Sequence, residues 1–280
     1  MSALSIAPRG LTWAVFRLHR VSLLLWGLFF AVMAAALLRT RARGIEAGRL
    51  NTACAVPPRP GLRDCRDAEP SVVLDWPGQA STLATVIAWL SFGVAAYAAG
   101  VLIARELENG TAALTWTQSV SPARWLAVKL LTPAILLTVG GTGLVLLYRW
   151  MWHAAPPSLR NSWSYPDIYV DRGPVAVAYL LCALALGALT AVAVRRALPA
   201  TGLAVVAMVL VHEGGHRVRD QLWPTDSTSM TLPGWWSAGG IDGHPANHFW
   251  PLQVMETGVV LTLTAALTAT AFWLLKRRTP

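Results

Sequence analysis

Charge is scarce in this chain. Only 13% of its 280 residues are Asp, Glu, Lys or Arg, and lysine occurs twice beside 21 arginines. Ordinary soluble domains carry about 25% charged residues, so this deficit, with 55% hydrophobic residues, excludes that class. A phosphate loop of the form G-x-x-x-x-G-K-[ST] is also missing, so the chain does not hydrolyse ATP by that route alone. "VGGTG" at 139–143 is only superficially like one. Together with "GVAAYAAG" at 93–100, it reads as small residues that let helices approach closely. There is no internal repeat, low-complexity tract or soluble domain. Cysteine is limited to three residues. Cys182 lies in an apolar run and reads as a small packing residue. Cys54 and Cys65 bracket a Pro- and Arg-rich stretch, "CAVPPRPGLRDC", where either a disulfide or two free thiols fits.

What the chain does have is long apolar runs, six of them: Val21–Leu38, Ser81–Ala104, Leu130–Trp150, Val175–Val194, Ala197–Val211 and Val254–Leu275. Most approach or exceed the roughly 20 residues that cross a bilayer core; the fifth is short. The first is followed by Arg39, Arg41 and Arg43 instead of a small-residue cleavage site, so it reads as a span and not a secretory signal. The expectation is an all-α integral membrane protein with one transmembrane domain over 1–280. Its loops on one side run over about 39–80, 151–173 and 212–252. With both termini cytoplasmic, the short inner connections hold 11 of the 23 basic residues, including "RR" at 195–196 and "KRR" at 276–278. Short connections carry the positive-inside signal, and Arg39, Arg41 and Arg43 oppose it. Trp76, Trp150, Trp152 and Trp250 would form the outer aromatic belt, and Trp13, Trp125 and Trp273 the inner one. A net charge of +9 matches attraction to an anionic inner leaflet, and nucleic acid is not an expected partner. Ahead of the first span, Trp13, Phe16, Arg17 and Arg20 suit a short amphipathic surface helix. The Gly-, Pro- and Trp-rich 212–252 segment is long enough to dip back into the outer leaflet.

One inner connection is longer than a turn: "ARELENGTAALTWTQSVSPARWLAVKL", 104–130. The second span should continue to Glu108, with Gly110 taking the left-handed residue that ends it. Thr111 can cap a new short helix, and Ser121-Pro122 supplies a cap followed by proline at the first helical position. On that short helix Thr111, Thr115 and Gln118 project to one side, and Ala113, Trp116 and Val120 to the other. Glu106 and Glu108 oppose the helix dipole at a carboxyl end, so a cation should offset them, from Arg17, Arg20 or a partner protein.

This stretch resembles the connector of small ABC exporter permeases, the type-2 membrane subunits common in high-GC bacteria, with the pattern R-E-x-E-x-G-T-x-x-x-x-W-T-Q-S-V-x-x-x-R-W. Arg105, Glu106, Glu108, Gly110, Thr111, Trp116, Thr117, Gln118, Ser119, Arg124 and Trp125 match it position by position. Ala112-Ala113-Leu114 departs where that group more often carries a basic residue. The resemblance implies a multi-pass permease of the bacterial cytoplasmic membrane that pairs with a second permease subunit and a separate ABC ATPase. Residues 105–125, Thr115 among them, would form the coupling contact. ATP and Mg would sit on the ATPase, this chain would bind no cofactor, and the permease pair would enclose the substrate path.

A competing motif lies in "VLVHEGGHRVRD", 209–220: His212-Glu213-x-x-His216. On a helix both imidazoles share a face and could hold zinc, with Glu213 as general base and Asp242 or His244 as third ligand. With six His and six Glu, chance produces such a match in about 0.3% of such chains. Gly214 and Gly215 disfavour the required helix by about 1 kcal/mol each, pointing instead to a cap or bend at an outer mouth. The alternative function is therefore an intramembrane zinc protease. No span carries a charge at its centre; Glu256, near the start of the sixth, is the closest, and reads as a snorkelling or mouth residue.

Overall fold

A computed structural model describes residues 20–53, 70–117, 120–163, 165–224, 244 and 246–279. Among them there is no strand. Eight helices are α1 (Arg20–Ala53), α2 (Pro70–Tyr97, continued by Ala98–Ala104 and Arg105–Glu108), α3 (Thr111–Thr117), α4 (Pro122–Trp152), α5 (Pro166–Asp171), α6 (Val175–Val194), α7 (Ala197–Val218) and α8 (Phe249–Arg278). Six are long and apolar enough to cross a membrane: α1, α2, α4, α6, α7 and α8. The amphipathic leader, Cys54 and Cys65, Gln118 and Ser119, Asp242 and most of the proposed re-entrant segment lie outside the described residues.

The helices outrun the apolar runs. Residues 39–53 and 70–80, read from sequence as loop, are helical. Side chains at that end explain why. Arg41 stacks its guanidinium 3.8 Å over the Trp150 ring, Arg43 donates to Gln79 Oε1 at 2.9 Å, and Trp76 Nε1 donates to the Thr40 carbonyl at 3.0 Å. A Cβ on Gly44 would stand 2.6 Å from Trp76 Nε1, so glycine there is what allows α1 and α2 to meet. The fifth span likewise continues past Val211 to Val218, and a 3-10 turn follows over Arg219–Gln221.

α6 is the hub. Its sequence is apolar all round, and 83% of its most apolar window is buried, against 17% for α1, α7 and α8. A helix with no polar face has no solvent-facing stripe and belongs at the centre of a bundle. Lipid tails provide no hydrophobic drive between helices, so close approach through small residues holds it there. A Cβ on Gly187 would lie 2.6 Å from the Ala98 Cβ and 2.8 Å from the Ala95 carbonyl oxygen; one on Gly141 would lie 2.8 Å from Leu180 Cδ1. Cys182 is a buried free thiol in this packing. Ala98–Ala104 of α2 is wound as a π-helix where it passes α6 and α7, with Gly100 set against Thr201.

The aromatic belt is thinner than the sequence suggests. Trp150, Trp250 and Trp273 are about half exposed, but Trp76, Trp125 and Trp152 are buried. Trp152 packs against Trp76 (5.9 Å) and Tyr148 (6.2 Å), holding α2 to α4. These rings pack helix on helix instead of facing headgroups.

One end of the bundle collects the short connections. Arg195 takes a left-handed conformation (φ 57°) between α6 and α7, and its Nη2 donates to the Arg278 carbonyl at 3.3 Å. Arg278 in turn donates to the Val192 and Ala193 carbonyls at the end of α6. The α3 connector lies at this same end, because Glu108 reaches the first residue of α7.

Candidate functional site

Two of the connector's three expected punctuation points, Gly110 and Ser121-Pro122, take the expected conformation, and Thr111 does not. Gly110 has φ 71° and lies between α2 and α3, and its carbonyl accepts from Ala113 N (3.1 Å) and Leu114 N (3.4 Å). Ser121 is extended and accepts from Arg124 N at 3.3 Å, with Pro122 opening α4. Thr111 is not the cap. It is the first residue of α3, and its hydroxyl donates to the Glu106 carbonyl at 3.2 Å.

Among the described residues, the two glutamates find their partners on other spans, whereas Arg17 and the Arg20 side chain lie outside what the structure describes. Lys129 Nζ of α4 lies 2.5 Å from Glu106 Oε1, and Trp125 Nε1 donates to Glu106 Oε2 at 3.2 Å. Glu108 Oε2 accepts from Ala197 N at 2.8 Å, at the first turn of α7. A carboxylate at a helix amino terminus meets unpaired N–H groups and the positive dipole end. What opposes α2 is therefore favourable to α7. Sequence reasoning missed both partners, because each comes from a different span.

α3 is two-faced, but rotated from the expected register. Ala112 is buried, and Thr115 and Trp116 are partly buried; Thr111, Ala113, Leu114 and Thr117 are exposed, Leu114 at 64%. Ala112 and Trp116 are four apart and so share a face; Trp116 meets Trp125 edge-on at 5.8 Å. Arg105 and Arg124 are exposed beside it. A seven-residue helix of low intrinsic stability thus gains its fixed pose from tertiary contacts.

The H-E-x-x-H stretch is helical, without the expected cap or bend. A Cβ at Gly215 would collide with the Tyr179 hydroxyl, and glycine is what admits that phenol. His212 packs between Phe92 (ring centroids 5.7 Å) and Tyr179 (5.3 Å), His216 is exposed, and Glu213 accepts from Arg217 Nε at 2.8 Å. His244 lies 3.2 Å from the Asp220 carbonyl and 3.1 Å from His248 Nδ1. Among the described residues no three His, Cys, Asp or Glu side chains come together to hold a metal.

Glu256 does not snorkel. It and Arg219 are each 2% exposed and form a two-point ion pair, Nε to Oε2 at 2.7 Å and Nη2 to Oε1 at 2.9 Å. The Tyr179 hydroxyl donates to Oε1 at 2.7 Å, and the Arg219 guanidinium lies 4.3 Å over the Tyr169 ring. Burial, reinforced by the Glu256 carboxylate, pushes the Tyr169 phenol far above its ordinary value. Gln253 completes the cluster, donating to the Tyr169 carbonyl at 2.6 Å and accepting from Val175 N at 3.3 Å. Residues from α5, α6, α8 and the 3-10 turn that follows α7 are pinned together at the end opposite the connector. From sequence, Arg219 reads as one more loop arginine; only the fold supplies its partner.

Six apolar helices long enough to cross a membrane, five of them around a buried central one, with a short two-faced helix fastened between the second and third, define a multi-pass α-helical membrane protein. The family model described as "ABC-2 membrane transporter related" matches residues 25–219, which take in the first five spans and the connector. The chain belongs to this family and is an ABC transporter permease. No curated protein and no solved structure matches it.

Proposed function

We propose that the chain is the membrane-spanning subunit of an ATP-driven exporter, and that α3 receives a separate ATPase subunit. The observation that carries this reading is the attachment of the connector to three spans at once. It continues from α2 through Gly110, Glu106 grips Lys129 of α4, and Glu108 holds the start of α7. A push on the exposed Ala113, Leu114 and Thr117 therefore tilts three helices together, whereas a loose loop would absorb it. The π-helical segment directly above it gives α2 a place where its hydrogen-bond register can shift.

In this reading both termini and the connector face the cytoplasm of a bacterial cell. That orientation is supported by Arg195, Arg196, Lys276, Arg277 and Arg278 at the connector end. Two permease subunits, identical or related, enclose the substrate path and alternate its access, while ATP and Mg bind to the ATPase.

The test is replacement of Trp116 by Ala, and separately of Thr117 and Gln118 by Ala. Expected is at least a roughly tenfold loss of ATPase co-purification, equivalent to about 1.4 kcal/mol of contact, and of ATP-dependent transport, with membrane insertion unchanged. ATP-dependent transport at the native rate in these variants overturns the reading.

A further inference from the structure

The two spans that carry the connector are both interrupted close to it. In α2 the interruption is the π-wound segment Ala98–Ala104, where the Arg105 N–H reaches back five residues to the Gly100 carbonyl. In α4 it is Pro133, which has no N–H to offer the Lys129 carbonyl four residues back. Sharp bends in helices arise at π-bulges and prolines, because each breaks the regular hydrogen-bond ladder. The Glu106–Lys129 pair fixes the relative height of the two spans. Counted from that pair at about 1.5 Å per residue, the weakened stretches lie about 3–12 Å along α2 and about 0–6 Å along α4. They overlap in depth.

On the connector side of these breaks the chain is tied to itself. The Thr111 hydroxyl donates to the Glu106 carbonyl, Lys129 and Trp125 hold the Glu106 carboxylate, and Trp116 packs edge-on against Trp125. These contacts join the tip of α2, α3 and the first turns of α4 into one block, and Glu108 attaches the start of α7 to it. On the far side of the π-wound segment α2 is seated on the hub, because the Ala98 Cβ and the Ala95 carbonyl crowd Gly187 of α6.

The winding of α2 is matched to this block. Gly100 abuts Thr201 of α7, and Glu108 accepts from Ala197 N of the same helix. Eight residues of regular α-helix make about 2.2 turns and would leave those two positions about 80° apart. With one residue taken up by the wide turn, the remaining seven steps make about 1.9 turns, and both positions face α7. Four of the seven π-wound residues are Ala or Gly, so few side-chain atoms interlock to hold their register, and Val101 is exposed.

We propose that Ala98–Ala104 and Pro133 are a pair of joints on which residues 105–129, with the start of α7 attached, swing as one body relative to α6. What drives the swing rests on the proposed ATPase coupling; the joints themselves do not. The lever from Val101 to Asn109 is about 12 Å long, so a swing of about 20°, the scale of a sharp helix kink, moves Asn109 by about 4 Å.

The test measures the distance between spin labels at Asn109→Cys, on the block, and Lys276→Cys, near the end of α8, by pulsed electron paramagnetic resonance. Both residues are exposed, and Arg278 bonds that end of α8 to the α6 carbonyls. Cys54 and Cys65 are replaced by Ser, and Cys182 is buried. The full-length protein in lipid nanodiscs should give a distribution about 4 Å wider than the same protein with Val101 deleted and Pro133→Ala. The deletion removes the surplus residue and keeps Glu108 facing α7, while alanine restores the α4 hydrogen bond. Pro133→Ala alone should remove part of the width, and Pro77→Ala, inside α2 at its other end, none of it. The proposal fails if the undeleted protein is as narrow as the doubly altered one. It also fails if the doubly altered protein keeps the full width. If the deletion prevents insertion, Pro133→Ala decides alone, and an unchanged width overturns the proposal. Adding the co-purifying ATPase with ATP gives a separate outcome: a wide distribution indifferent to ATP overturns the coupling reading and leaves the joints standing.

Discussion

Removing one partner of the Arg219–Glu256 pair would leave a full charge in a site that admits almost no solvent. Breaking such a pair costs about 3–5 kcal/mol, whereas replacing both partners by apolar residues of similar volume is near neutral. Glu256→Gln should therefore lower the thermal midpoint of the purified protein by several degrees, and Arg219→Met with Glu256→Leu should restore most of it. A double variant no more stable than the single one would mean that the carboxylate acts through something other than Arg219. The two glycines of the H-E-x-x-H stretch give a sharper contrast. A Cβ at Gly214 meets nothing within 4 Å, so Gly214→Ala should gain up to about 1 kcal/mol from helix propensity. Gly215→Ala has the same propensity gain but drives the Tyr179 hydroxyl off Glu256, and should lose about 1–3 kcal/mol. Parallel thermal melts of the two variants check the opposite signs. Helix propensity alone treats these neighbours as equivalent; the phenol that separates them comes from another span.

At the scale of elements, the connector was the most legible part of the chain. Gly110, Ser121 and Pro122 act through local backbone rules that do not depend on the rest of the fold, and each takes the conformation its type favours. The orientation of α3 was not legible, because seven residues present too short a pattern to choose between faces 100° apart. Trp125 and Leu126 of α4 decide it by forming the surface on which Ala112 and Trp116 pack. Gly110→Val forces a β-branched residue into a left-handed conformation, at a cost of about 1–2 kcal/mol or more. Under the proposed coupling role it should uncouple ATP hydrolysis by the partner subunit from transport while the spans still insert, a result read by comparing ATPase and transport rates in reconstituted vesicles. The fifth span illustrates the reverse error. A count of apolar residues stops at Val211, but the helix continues because Tyr179, Phe92 and Glu256 receive its polar last turns.

The whole molecule carries its polar groups at two ends, and they differ in kind. Arg195 and Arg278 close a backbone lattice with the ends of α6 and α8 at the connector end. The opposite end holds the Arg219–Glu256 cluster and the arginines around Arg149. Single cysteines at Thr117, Arg196 and Thr279 should react with an impermeant thiol reagent from the cytoplasmic face only, and one at Trp223 from the other face only. Labelling of Thr117 and Thr279 positions from opposite faces would break the six-span topology. Length and hydrophobicity determined by themselves that this chain lies in a membrane, roughly where it crosses, and where its connector turns. Those properties depend on transfer of apolar residues from water and on local backbone preference, which each segment has on its own. Only the tertiary structure decided which tryptophans are buried, how α3 is rotated, which cation meets Glu106, and that Arg219 and Glu256 form one site. A lipid-embedded helix has no hydrophobic reason to choose its neighbours, so such pairings follow from small-residue contacts and polar partners far apart in the chain.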